Sequence, residues 1–230
     1  MHIPSKHVYE ALEDAGVNVL NHANSVVTAC QFLRAKSLLS RGDIERRGLR
    51  QTKQSSDEGD KRNSVWFDVF TDSVDIHSRA KRANVYGPVL FELDAQIISE
   101  TYTGRVWVTK LNPTKWAGKT EVERWFQGKE DLAANFVRGQ FDQMVVFRHC
   151  GGELPFRKYL TRIVLDDPKK KGPDGVDLFS SAHGALTLAM SDSGLKVPIV
   201  RRDCVATCTC IREYTRDSER CQLHFTTGLD

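Results

Sequence analysis

Residues 19–41, VLNHANSVVTACQFLRAKSLLSR, constrain the fold more than any other stretch of the chain. An apolar entry, Val17–Leu20, leads into His22, and Asn24 or Ser25 stands where a helix N-cap is expected. Val26, Cys30 and Leu33 then recur at helical spacing, and a second apolar cluster ends at Ser40–Arg41. The spacing predicts a strand over Val17–Leu20, a helix over Ser25–Lys36 and a turn that presents Arg41. An imidazole at a strand end can hydrogen-bond a ribose or carboxamide, and a guanidinium can pair bidentately with phosphate. A dinucleotide is therefore one ligand such a unit can hold. An ordinary strand–helix unit with a satisfied His and a surface Arg is the plainer alternative.

Elsewhere the pattern mixes short elements. Val8–Ala15 reads as a helix, Val89–Leu93 after Gly87-Pro88 as a buried strand, and Arg105–Lys110, Met144–Phe147 and Arg162–Leu165 as further strands. Val65–Phe70 approaches the core, and Asp72–Ala80 is a turn or short helix. Thr120–Phe126 carries a capping-box pattern, Thr120 with Glu123, and Asp131–Arg138 extends that helical region. Gln51–Asn63 has no large apolar side chain and reads as an exposed loop, or as a lid over a ligand. Lys169–Asp174 is a linker or turn, Gly184–Met190 a weak helix or strand, and Val197–Val200 and Val205–Ile211 late strands. Without regular βαβ alternation this is an α+β pattern. No G-x-G-x-x-G, P-loop or G-x-S-x-G motif is present, which argues against Rossmann dehydrogenases, P-loop NTPases and α/β-hydrolases.

The 230 residues suffice for one domain with an appendage, or two. A net charge of +3 excludes an extreme polycation but leaves room for a local basic groove. No run reaches transmembrane length, and the N-terminus, MHIPSKHVYEALEDAG, lacks a signal-peptide core, so a cytoplasmic protein with no membrane partner is expected. The six cysteines are then expected to be reduced. Cys204, Cys208, Cys210 and Cys221, with His224, could supply the ligands of a zinc ion, although the spacing is not that of the common C-x2-C pairs. On a strand, Cys208 and Cys210 would share a face. Small buried apolar residues on a terminal hairpin are the alternative.

The segments Leu20-Asn21-His22-Ala23-Asn24-Ser25 and Leu38-Leu39-Ser40-Arg41-Gly42 resemble the N-terminal NAD-binding part of the DarT-like ADP-ribosyltransferases, toxins that modify nucleic acid. The resemblance continues more weakly through Val65–Ala80, Tyr86–Ile98 and Gly139–Asp167. It implies an α+β, ADP-ribosyltransferase-like core over residues 1–167, with a split central sheet and flanking helices, and a C-terminal extension over 168–230 packed on it. It implies NAD as substrate, held by His22, Asn24, Ser25 and Ser40, with Asp72 and His77 lining the cleft. Arg41 would act on the diphosphate or the acceptor. RNA or single-stranded DNA is the implied acceptor, and a cognate antitoxin the implied protein partner, as in toxin–antitoxin systems of antiviral defence. The basic cluster Arg79, Lys81 and Arg82 could meet a phosphate backbone.

ADP-ribosyl transfer develops positive charge on the ribose, so a carboxylate nearby would stabilise it and could deprotonate the acceptor. The resemblance puts that carboxylate at Gln143, directly before the apolar run Met144–Phe147. An amide there implies a Glu-to-Gln exchange, natural or introduced, that silences the chain. A shifted register would move the role to Asp142 or Glu153. Two readings compete with the transferase: a non-catalytic nucleic-acid-binding module, and a metal-dependent nuclease built on Asp72, Asp75, Glu92 and Asp94.

Overall fold

The computed structural model describes residues 3–100 and 105–227. The path runs β1 (Ile3–Pro4), α1 (Ser5–Asp14), β2 (Val19–Asn24), α2 (Val26–Ala35), β3 (Ser37–Leu39), α3 (Arg41–Arg46) and α4 (Asp57–Arg62). It continues through β4 (Val69–Asp72), α5 (Ile76–Ala80), β5 (Val89–Asp94), α6 (Ile97–Glu100), β6 (Arg105–Val108), α7 (Glu121–Arg124) and α8 (Lys129–Asn135). It closes with β7 (Met144–Phe147), β8 (Glu153–Pro155), β9 (Leu160–Leu165), α9 (Leu178–Ser193), β10 (Ile199–Arg201), α10 (Cys210–Arg216) and α11 (Ser218–Phe225). Among the described residues, eight strands form one mixed sheet in the order β1-β6-β7-β4-β2-β5-β9-β10, and β3 pairs with β8 apart from it. All strand pairings in the large sheet among the described residues are antiparallel except β9 with β10. The class is α+β, a large mixed sheet with flanking helices. No helix among the described residues is long and apolar enough to cross a membrane.

The sheet has one weak seam. β2 pairs with β5 along all six of its residues, from Val19↔Asp94 to Asn24↔Val89. Its other neighbour, β4, meets it at a single pair, Asn21↔Asp72. Beyond that pair a side chain replaces the ladder: His22 Nδ1 donates to the Phe70 carbonyl at 2.7 Å. β4 is fully paired on its far side, from Val69↔Phe147 to Asp72↔Met144.

Helix α2 follows the seam at once. Ser25, extended at φ −67° and ψ 161°, takes the N-cap position, and Lys36 ends the helix in the left-handed region at φ 55°. The turn before β5 presses against this corner. A Cβ on Gly87 would lie 2.3 Å from the Asn24 backbone, and its φ of 143° is one that other residues rarely adopt, so the position requires glycine. Helix α9 packs against α2, and Ala182, Ala185, Leu186 and Ala189 are buried there. With Cys210, Tyr214, Cys221 and Phe225 they share the core of the N-terminal residues.

Three elements differ from the sequence reading. Gln51–Asn63 contains α4; its acids Asp57, Glu58 and Asp60 lie in the first turn and Lys61 and Arg62 in the last, which matches the helix dipole. Gly184–Met190 belongs to a helix of 16 residues. Val205–Ile211, read as a strand, is a turn that enters α10, so Cys208 and Cys210 do not alternate along a strand.

Candidate functional site

A cavity of about 90 Å³ lies in the seam. β2 contributes His22, Ala23 and Asn24; β4 contributes Val69, Phe70 and Asp72. Ser40 and Arg41 enter from the start of α3, and Gln54, Ser56 and Asp60 form a wall from the 51–63 segment. Cavities form where strands part because side chains, rather than a neighbouring backbone, then line the gap.

Two polar atoms here are buried with no hydrogen-bond partner among the described residues: His22 Nε2 and Arg41 Nη1. Burial lowers the His22 pKa, chiefly by desolvation, so the ring is neutral near pH 7. Because Nδ1 donates to Phe70, the remaining nitrogen Nε2 is a bare acceptor. Phe32 supports the ring, with centroids 5.5 Å apart. Arg41 is fixed by a bidentate pair with Asp57, at 3.0 and 2.7 Å, which leaves Nη1 as its uncommitted donor. Ser40 caps α3 by accepting from the Asp43 N–H at 3.1 Å, so its hydroxyl is used in holding Arg41 in place.

Three carboxylates also line the cavity: Asp68, which is paired with Arg148 at 2.8 Å, and Asp72 and Asp60. Asp72 opens onto it but is otherwise enclosed; desolvation, aided by the charge of Asp75, pushes its pKa up to about 7. Its carboxylate accepts no hydrogen bond and joins no ion pair among the described residues. Asp60 is raised to about 6, again chiefly by burial and against the hydrogen bond from Ser56. A buried acid without a partner is unfavourable for folding, and such groups concentrate at functional sites.

The structure thus brings His22, Asn24, Ser40, Arg41 and Asp72 together. Ser25 does not line the cavity; it is buried in a hydroxyl network with Thr28 and Thr52 at 3.1 and 2.7 Å. Gln143 does not line it either. Its amide accepts from Val137 N–H at 2.7 Å and donates to the Asn135 carbonyl at 3.1 Å, fastening the end of α8. Asp142 is paired with Lys115 at 2.8 Å, and Glu153 with Ser37 at 2.7 Å and with Arg47. Asp75 and Glu92 are held by Arg202 and Arg162, and the four carboxylates Asp72, Asp75, Glu92 and Asp94 form no metal-ligand group among the described residues. Arg79, Lys81 and Arg82 are exposed on and after α5, with Arg79 stacked 4.2 Å over Phe141.

Asp60 is a cavity residue that the sequence reading missed; its only signal was an acidic run in a segment without apolar residues. A shallow hollow adjoins the cavity through Asp68, which lines both. Arg46, Lys61, Trp66, Phe67, Arg148 and His149 surround it, interleaving basic and aromatic groups. Lys61 Nζ sits 4.5 Å over the Trp66 ring, and Phe67 is 47% exposed.

His77 belongs elsewhere. It is 2% exposed, and with Cys204, Cys208 and Cys210 it brings four ligand atoms within 4.8 Å of one another, a group able to hold a metal ion. Cys221 and His224, grouped with these cysteines on sequence, sit on α11 outside that group. Comparison of the chain with protein-family models, curated proteins and solved structures finds no match.

Proposed function

We propose that the chain is an NAD-dependent ADP-ribosyltransferase acting on nucleic acid, with the seam cavity as its active site. One observation carries the reading. His22, Asn24, Ser40, Arg41 and Asp72, drawn from separate parts of the sequence, line a single cavity in which one acceptor atom, His22 Nε2, and one donor atom of the Asp57-paired guanidinium, Arg41 Nη1, are buried without hydrogen-bond partners among the described residues. NAD, as substrate, supplies the ADP-ribosyl group, with nicotinamide as the leaving group. His22 Nε2 accepts from a ribose hydroxyl or a carboxamide N–H. Arg41 Nη1 donates to the diphosphate, while Asp57 holds the guanidinium plane. Asp72 takes the part that the family resemblance assigns to position 143. Its carboxylate faces the developing positive charge, and a pKa near 7 suits it to take a proton from an acceptor. The cavity as it stands holds only a few water volumes, so the wall formed by residues 51–63 moves outward for a dinucleotide to enter.

The basic and aromatic hollow beside the cavity fits a nucleic-acid strand, because rings stack on bases and cations follow phosphates. A cognate antitoxin follows from the same reading, since such an activity harms its host.

Calorimetric titration with NAD tests the proposal. His22→Phe keeps the ring against Phe32 and removes both nitrogens. A lost hydrogen bond of about 0.5–1.5 kcal/mol weakens NAD binding roughly two- to tenfold. Wild-type protein that gives no heat with NAD, yet binds single-stranded RNA or DNA in a salt-dependent way, would overturn the transferase in favour of a binding module.

A further inference from the structure

We propose that His77, Cys204, Cys208 and Cys210 bind one zinc ion, which fastens the C-terminal segment to helix α5. The argument is independent of the seam cavity. With Zn–S of about 2.3 Å and Zn–N of about 2.0–2.1 Å, a tetrahedral site sets sulfurs about 3.8 Å apart and each sulfur about 3.5 Å from the nitrogen. The separations are 3.3 Å from His77 Nε2 to Cys208 Sγ, 3.6 Å from His77 Nε2 to Cys204 Sγ, and 3.6 Å from Cys204 Sγ to Cys210 Sγ. All four ligand atoms lie within 4.8 Å. Disulfides need about 2.05 Å between sulfurs. The thiols are free, and Cys204 is exposed while Cys208 is only half-buried, so apolar burial does not account for the cluster.

The surroundings are those of a metal-bound imidazole. His77 Nδ1 lies 3.0 Å from Asp166 Oδ2, and the carboxylate fixes the tautomer that turns the Nε2 lone pair towards the thiols. Asp166 is itself buried, accepts from Tyr214 OH at 2.5 Å and is paired with Arg202. Arg202 also reaches Asp75, whose Oδ1 accepts the His77 N–H at 3.0 Å at the start of α5. One connected network thus orients the imidazole from its ring and from its backbone.

The thiols come from a turn shaped for them. Cys208 N–H bonds the Val205 carbonyl at 2.9 Å, closing the turn between the first two ligands, and Cys210 opens α10. Thr209 N–H donates to the Lys81 carbonyl at 2.8 Å, so the turn is already docked on the end of α5. Three thiolates and an imidazole suit zinc better than the harder divalent ions. Four protein ligands fill the coordination shell, which makes the site structural rather than catalytic. Each thiol gives up its proton as the ion enters, so uptake releases protons and weakens as pH falls.

The full chain, purified without chelator from zinc-supplemented medium, should carry about one zinc per chain, as a closed four-ligand site requires. Exchange into cobalt(II) should produce the strong visible bands of a tetrahedral thiolate site. Cys208→Ser and His77→Ala should each lose most of the zinc, whereas Cys221→Ser should retain it. Wild-type protein provides the check that does not depend on how the variants fold: a chelator should expose three further thiols to a disulfide reagent under native conditions. Wild-type protein with less than about a fifth of an equivalent of zinc and no cobalt spectrum would overturn the proposal. Equal loss of zinc in Cys221→Ser and Cys208→Ser would also overturn this ligand set.

Discussion

Replacing Asp72 with Asn should make the protein more stable and less active, and the stability gain should depend on pH. The carboxyl group has an ordinary pKa of 3.8 in the unfolded chain and one of about 7 in the cavity. A difference of roughly three pH units is worth about 4 kcal/mol at 1.36 kcal/mol each. Below about pH 4 both states are protonated, and the residue does not discriminate between them. Between about 4 and 7 the folded state keeps a proton that the unfolded state releases, so wild-type stability falls as pH rises. Above 7 the full penalty applies. Asn has no charge to desolvate, so Asp72→Asn gains nothing near pH 4 and gains most at pH 8. Because Asp72 opens onto the cavity, screening roughly halves the value, and about 2–4 kcal/mol is expected at pH 8. For a chain of this length that raises Tm by roughly 4–16 °C. Thermal and urea unfolding of both proteins at pH 4, 6 and 8 measure it, and, on the proposed transferase reading, nicotinamide release from NAD measures the loss of activity. A variant no more stable than wild type at pH 8, or one with the same gain at pH 4, would refute the reasoning.

Gly87→Ala should lower stability by several kcal/mol, because its methyl group meets the Asn24 backbone at 2.3 Å, and Asn24 is held in register with Val89 of β5; a chemical denaturation curve with unchanged solubility and a far lower midpoint is the expected result. Gln143→Glu should not release nicotinamide faster than wild type, since the side chain fastens α8 rather than facing the cavity; it should instead cost about 1–2 kcal/mol by turning a carboxylate towards the Asn135 carbonyl. A marked rise in turnover would return the catalytic carboxylate to position 143.

What could be read from sequence was local. His22, Ser25 and Arg41 sit within one strand–helix–turn unit whose caps and periodicity are written in consecutive residues, and Met144–Phe147 is a strand with the bounds expected. Helix α9 was largely hidden because its buried face is built from Ala182, Ala185 and Ala189, and LFSSAHGALTLAMSDS carries serines, threonine and glycine that weaken helical propensity. Val205, Thr207, Thr209 and Ile211 favour strands, yet Val205 and Ile211 are 59% and 43% exposed; the turn is held by contacts to Lys81 and to the His77 cluster instead. His77 precedes Cys204 by 127 residues, a distance at which no spacing rule connects a histidine to a cysteine. Asp57 and Asp60 escaped notice for the same reason: acids in a polar run look solvated until the fold encloses them.

The single pair between β2 and β4 has a mechanical consequence. It divides the sheet into two four-stranded panels, β1-β6-β7-β4 and β2-β5-β9-β10, tied along one edge by Asn21, Asp72 and the His22 side chain. Within each panel every neighbouring pair of strands shares at least two register pairs, against one at the junction, so opening is expected to cost least there. A molecule lodged there touches both panels and acts as a wedge that sets their angle. Binding would therefore change amide exchange along Val69–Asp72 and Val19–Asn24 more than anywhere else in the sheet, and residues far from the cavity could tune affinity by altering how easily the panels turn.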